Sequence, residues 1–271
     1  MKLAARGHIF EFPRRPLIMG IVNLVADSFS GDGIVDIPSA VKKAHALVAD
    51  GADIIDIGAE SARTNRSPIE EEDEASQIIR FIERWESRVP LSINTWRPGV
   101  VRRVLPRGGH ILNDIGALPS DENARLCADT GAALLIMHSI GEPKVPHTHI
   151  AYDDIMEQIG LFFAEKLELT ARAGLPADAT ILDPGLDFAK QRHDNLRILR
   201  DLMLLQRFDR PLLLPISRKT VIGEVLGIPP AERDAGTIAC LVAGVLRGAH
   251  IFRVHNVRAA AHATAALSAV S

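Results

Sequence analysis

Gly51-Ala52-Asp53-Ile54-Ile55-Asp56-Ile57-Gly58-Ala59-Glu60-Ser61-Ala62-Arg63 is a short apolar run that leaves directly into small and charged residues. A strand buried on both faces of a parallel sheet reads as a near-continuous Val/Ile/Leu run, so its reactive side chains gather where the chain leaves it. Working outward in both directions, the same pattern recurs. Apolar runs end in Asn23 and Asp27, in Asn94, in Asn113 with Asp114, in Asp183, in Ser217 with Arg218 and Lys219, and in Arg253 with His255. Polar groups collected at one end of a set of parallel strands predict the rim of a (β/α) barrel.

The candidate strands are 17–22, 54–57, 91–93, 110–112, 133–137, 180–182, 212–215 and 251–254. Eight is the number at which a closed barrel is just filled by its own side chains. Helical periodicity lies between them. Val41, Ala44, Leu47 and Val48 share one face of 37–50, with Gly51 as a stop, and Ile78, Ile79, Ile82 and Trp85 share a face of 69–85. The acidic run Glu70 to Glu74 suits the positive end of that second helix and is expected to be solvated. Residues 151–173 form the longest helical pattern, ending at Gly174. Strand–helix alternation forces right-handed parallel crossovers, and the first strand is followed by no GxGxxG turn, which counts against a dinucleotide fold. Residues 1–16 alternate and are punctuated by Pro13 and Pro16, as expected of a small antiparallel hairpin closing the barrel floor. The expected architecture is therefore α/β, a single (β/α)8 TIM barrel over residues 1–271 with a short N-terminal β segment.

With 271 residues, 24% charged and a formal net charge of -3, the chain offers no global field for nucleic acid or an acidic membrane, and neither partner is expected. Any anion site must be local. Cys127 and Cys240 lie in apolar helical contexts and are expected as reduced thiols. No apolar run of about 18 residues and no leader pattern is present, so a cytoplasmic location is expected. His147 and His149 are too close together and lack the further ligands a zinc site needs.

The segments Met19 to Phe29 (MGIVNLVADSF), Asp183 to Lys190 (DPGLDFAK), Ser217 to Gly223 (SRKTVIG) and Arg253 to Val257 (RVHNV) resemble dihydropteroate synthase, as do GADIIDIGAES at 51–61 and MHS at 137–139. That family joins a 7,8-dihydropterin methyl pyrophosphate to p-aminobenzoate on a (β/α)8 barrel, and the similarity runs from about Leu17 to the last helix. The resemblance implies that Asp183 anchors the amino edge of the pterin, with Asn113 and Lys219 against the same ring. It implies pyrophosphate held by Arg253, His255, Arg63 and Asn23, with Asn23 on a Mg²⁺ ion. Phe188, Ser217, Arg218 and Ala62 are expected to line the substrate sites, and a homodimer through the last helices is expected. Catalysis is then electrostatic stabilisation of the leaving group, followed by amine attack on a pterin methyl cation.

The chain departs from the family at clustered places. The first loop reads Asn23-Leu24-Val25-Ala26-Asp27 where the family has Asn-Val-Thr-Pro-Asp, and the second reads Ser61-Ala62-Arg63-Thr64-Asn65 where the family has Ser-Thr-Arg-Pro-Gly. Asn94 stands where the family has Asp, so shape is kept and a charge is lost. Asp187 and Ala189 replace glycines, the first adding a carboxylate beside the ring site. Two alternatives follow: an active, divergent synthase, or a pterin-binding paralogue without synthase activity, with a different amine acceptor or with a methyltransferase-type role.

Overall fold

In the computed structural model, which describes residues 1–24, 36–60, 68–145, 147 and 149–270, all eight expected apolar runs contain strands. Two short strands come first, β1 (Lys2–Ala5) and β2 (His8–Glu11). The barrel staves are β3 (Leu17–Asn23), β4 (Ile54–Gly58), β5 (Leu91–Asn94), β6 (Ile111–Asp114), β7 (Ala133–Met137), β8 (Thr180–Asp183), β9 (Leu213–Leu214) and β10 (Ile251–Val254). The helices that alternate with them are α1 (Ile37–Ala49), α2 (Glu71–Ile82), α3 (Pro98–Gly108), α4 (Glu122–Thr130), α5 (Ile155–Arg172), α6 (Arg192–Asp201), α7 (Thr220–Leu226), α8 (Asp234–Leu246) and α9 (Val257–Val270). The sheet runs β8-β7-β6-β5-β4-β3-β10-β9, parallel at every pairing. β8 and β9 then meet through one bridge, Leu182 to Leu212, which closes the circle.

Local chemistry explains the borders. Asp36 caps α1 by accepting the Ser39 N–H at 3.0 Å, and Gly51 leaves the helix at φ +107°, a conformation that costs a side chain but not glycine. Gly20 in β3 lets α1 and α9 both lie against the sheet, since a Cβ there would stand 3.1 Å from Val257 and 3.2 Å from Leu47. The longest helix starts later than its periodicity predicts. Asp154 accepts the N–H groups of Met156 and Glu157, which sets the first turn of α5 at Ile155 rather than at 151. Likewise α2 stops at Ile82, and Trp85 lies beyond it with its indole N–H on Val89 O at 3.0 Å.

The N-terminal hairpin covers the floor. Leu3 and Ala5 are fully buried, and the rings of His8 and Phe12 meet His110 and His250 edge-on with centroids 4.8 and 4.9 Å apart. Each of those two histidines precedes a stave and uses Nδ1 to accept a backbone N–H, from Leu91 and from Leu212, both at 3.1 Å. Arg6 donates to the carbonyls of Leu105, Pro106 and Gly109, groups at the end of α3 that would otherwise lack partners. Both cysteines are free thiols, and among the described residues no helix is long and apolar enough to cross a membrane.

One expectation about the acidic run is corrected. Glu70 to Asp73 are exposed, but Glu74, the fourth carboxylate of α2, is fully buried, because it points inward to Arg97 rather than to water.

Candidate active site

The C-terminal ends of the staves surround a polar layer organised by Asp56. This buried carboxylate lies on β4, and parallel register puts it beside Ser92 of β5, with Asn113 one strand further on. Its Oδ1 accepts from Ser92 Oγ at 2.6 Å and from Asn113 Nδ2 at 3.1 Å, while Oδ2 accepts from Arg253 Nε at 2.7 Å. The carboxylate thus reaches past β5 on one side and β3 on the other to fix an amide and a guanidinium. Arg253 is held by Nε, and among the described residues no hydrogen bond engages its two terminal amino groups, which leaves them available to a ligand.

Asp183 ends β8 and turns into Pro184-Gly185. Its Oδ1 accepts the Gly185 N–H at 2.7 Å. Burial pushes its carboxyl up to about 6, opposed by the Gly185 N–H and by the charges of Lys219, Lys190 and Arg253. Gly185 is required there, since a Cβ would fall 1.9 Å from His138 O and the residue sits at φ +69°. Lys219 reaches over from the turn after β9. Its Nζ donates to Leu186 O at 2.7 Å and lies 4.7 Å from the centre of the Phe188 ring. Burial depresses this ammonium below its ordinary range, while Asp187 and Asp183 pull it back. One wall of the mouth therefore carries a buried carboxyl, a cation and an aromatic face.

Behind that wall stands Lys190, which the sequence places in the DPGLDFAK segment but gives no sign of being buried. Its Nζ contacts His138 Nδ1 at 2.9 Å, Phe188 O at 2.9 Å and His138 O at 3.2 Å. Burial lowers it to about 7, and burial together with Lys190 drives His138 far below the usual imidazole range. His138 is accordingly neutral, with Nδ1 as acceptor and the ring edge-on to Phe162 at 4.9 Å. His138 bonds a neighbouring loop, as its position suggests.

The remaining expected site residues fall in several places. Ser217 Oγ lies 2.9 Å from His255 Nδ1 and accepts the His255 N–H at 3.1 Å, joining the ends of β9 and β10. His255 lies just past β10, so it is positioned by Ser217 rather than by the strand. Arg218 turns to Asp234 at the start of α8, Nε to Oδ1 2.7 Å, and sits at φ +56°. Asn94 ends β5 opposite Asn113 in register, half-buried, with its Cβ packed against Gly58. Asn23 ends β3 beside Gly58 and is half-buried. Arg63 and Ala62 lie outside the described residues, as does Asp27. Asp187 lies beside Lys219 with both carboxylate oxygens engaged, accepting from Asn195 Nδ2 and Thr220 N.

A second buried charge cluster lies beside β4 and went unread in the sequence. Arg97 bonds Glu74 on α2 through Nε at 2.8 Å, pairs with Glu60 at 2.7 Å and donates to Ile69 O at 2.7 Å. Lys144 of the β7–α5 connection reaches Glu60 at 2.8 Å. Asp114 is also buried, accepting from Gly116 N and Asn123 Nδ2 at 2.8 Å each, and so braces the loop after β6 rather than capping a helix. Among the described residues no group of three or more His, Cys, Asp or Glu is arranged to hold a metal.

Comparison with known proteins gives consistent results. The model of the family described as pterin binding enzyme matches residues 19–255. The dihydropteroate synthase of Escherichia coli K12 is 36% identical over 261 residues, which is 95% of this chain and 92% of the relative. A Yersinia pestis dihydropteroate synthase, solved with a sulfonamide drug complex, superposes with a TM-score of 0.93 at 34% identity over 100% of this chain and 98% of its own. The enzyme of Xanthomonas albilineans, solved with 4-aminobenzoic acid, gives 0.90 at 32% identity over 99% and 97%.

Proposed function

The chain belongs to the dihydropteroate synthase family, and from that premise we propose how its own residues carry the reaction. It is a transferase of folate biosynthesis that condenses 6-hydroxymethyl-7,8-dihydropterin pyrophosphate with p-aminobenzoate and releases pyrophosphate. The observation that supports our assignment of roles is the wall built by Asp183, Lys219 and Phe188 beside the Arg253 guanidinium. A pterin presents a flat ring with a guanidine-like edge. Asp183 accepts from that edge, Asn113 offers its amide oxygen to the ring, Phe188 stacks on a face, and Lys219 stands at the side where the exocyclic carbon meets the amine.

The bond from the pterin methylene to the pyrophosphate oxygen breaks with both electrons leaving on oxygen. Arg253 and His255 receive the charge that develops there, and preorganised donors of this kind act most strongly where water is excluded. The amine nitrogen then forms the new carbon–nitrogen bond and gives up a proton. Magnesium fits the donor set: Asn23 supplies one amide oxygen, and this ion keeps most of its shell as water and phosphate oxygens rather than demanding a protein cage. When bound it would spread the pyrophosphate charge. Arg63 and Ala62 complete the proposal on the amine and phosphate side, with Ser217 holding His255 and Arg218 fixing the turn that carries Lys219.

The proposal extends to a homodimer through α8 and α9, supported by Leu246 and Val270, which are 68% and 82% exposed on those helices, and to a cytoplasmic site of action, supported by the two free thiols. The paralogue without condensation has one observation in its favour, the amide of Asn94 at the mouth. The deciding experiment follows pyrophosphate release and dihydropteroate mass with both substrates supplied. Product is expected; pterin binding with no product from p-aminobenzoate would move the assignment to the paralogue.

A further inference from the structure

Leu186, Asp187 and Phe188 wrap the corner where the Ser217–Thr220 turn enters α7, and each touches it differently. Leu186 O accepts from Lys219 Nζ at 2.7 Å and the Phe188 ring lies 4.7 Å from the same atom. Between them Asp187 places Oδ2 2.5 Å from Thr220 N, the residue next to Lys219. Its Oδ1 accepts from Asn195 Nδ2 at 3.1 Å, while Asn195 Oδ1 takes the Asp187 N–H at 2.9 Å. Asp187 sits at φ +65°, a left-handed conformation that disfavours a side chain, so the reciprocal clamp with Asn195 holds it against a conformational cost.

Nothing in the condensation uses this carboxylate. Capping the seven-residue α7 needs only a neutral acceptor such as Asn or Ser, and a glycine would relieve the backbone. What a carboxylate adds is charge, fixed beside Lys219, the residue that the proposed function sets against the incoming amine. We propose that Asp187 is a specificity-determining residue for the second substrate: it repels an anionic substituent on the incoming arylamine and leaves a neutral one unaffected. This rests on the synthase assignment above and goes beyond it, because it sets the charge that the amine site prefers. Coulomb repulsion between two carboxylates is strong enough to be read in affinity, and added salt weakens it.

The test uses the purified full chain with p-aminobenzoate and its neutral analogue p-aminobenzamide, at saturating pterin pyrophosphate. Asp187→Asn keeps the size and the acceptor for Thr220 N; Asp187→Gly removes the side chain at a position of positive φ. Asp187→Asn is expected to lower KM for p-aminobenzoate about five- to tenfold, with a smaller gain in about 0.5 M salt, because the charge is removed; the bond from Asn195 Nδ2 goes with the second oxygen, a loss that the neutral amine reports equally. KM for p-aminobenzamide and for the pterin pyrophosphate should change less than about twofold, since neither amide nor shape is altered. Equal changes for both amines, or an unchanged KM for p-aminobenzoate, overturn the inference and leave Asp187 as a cap. Thermal unfolding accompanies the kinetics, and if the glycine variant does not fold the asparagine variant decides. Absence of condensation with either amine in the unaltered chain overturns the synthase assignment, and this inference with it.

Discussion

Asp183 is a carboxyl group whose surroundings and whose task pull in opposite directions. Burial raises it to about 6, while accepting N–H groups from a pterin requires the ionised form. The sign follows: above about pH 6 the carboxylate is present and binding is full, and as pH falls through that value affinity is lost with the arriving proton. Titration calorimetry from pH 7.5 to 5 should show this decline, and it should vanish in Asp183→Asn. Asp183→Ala should cost about 2–4 kcal/mol of pterin affinity, the usual penalty for deleting one side of a buried charged pair. Asn94 tests the other half of the chemistry. Asn94→Asp returns a charge that interacts chiefly with the cation formed as pyrophosphate leaves, so single-turnover rates should rise by the equivalent of about 1–3 kcal/mol with little change in pterin affinity. A tighter pterin complex without a faster chemical step would count against that division.

At the scale of elements, the staves were legible and the buried charges were not. Ile54–Gly58 and Ala133–Met137 declare themselves because a stave covered on both faces is dominated by apolar residues without the alternation of a half-exposed strand. Glu74 and Lys190 carry no such mark: the sequence states a charge, and only packing decides whether water reaches it. The rim residues Asp56, Asp183, Lys219 and Arg253 could be named from their places at the ends of apolar runs, yet nothing in the sequence shows that Asp56 holds Arg253 and Asn113 in place. The Arg97 cluster shows what such hidden charges do for the elements. Arg97 joins α2 to the end of β4, and burial holds the Glu74 carboxyl above its ordinary range, opposed by Arg97 itself. Arg97→Met should therefore destabilise the fold by about 3 kcal/mol in urea unfolding at pH 7, since it strands a buried carboxylate. Part of that loss should be recovered as pH falls and Glu74 takes a proton; a deficit independent of pH would show that lost packing, not stranded charge, is responsible.

For the molecule as a whole, the floor sets the acid limit. His110 is lowered to about 4, first by burial and then by His8 and Arg6, and its Nδ1 must stay unprotonated to accept from Leu91. A group whose folded value is depressed contributes stability that is complete above its unfolded value, about 6.5, and is lost as pH falls toward 4. Thermal midpoints should drop across that window, and His110→Gln, which can still accept but cannot titrate there, should flatten the drop. The closing bridge carries a different consequence. A circle of staves closed, among the described residues, by the single bridge of Leu182 to Leu212 will open there first, exposing the amides on either side to exchange long before global unfolding. Asp183 ends one of those two staves and Lys219 follows the other, so a pterin gripped by both spans the gap. Substrate then completes the hoop, and amide exchange at 212–216 should slow on binding more than at any stave remote from the ligand.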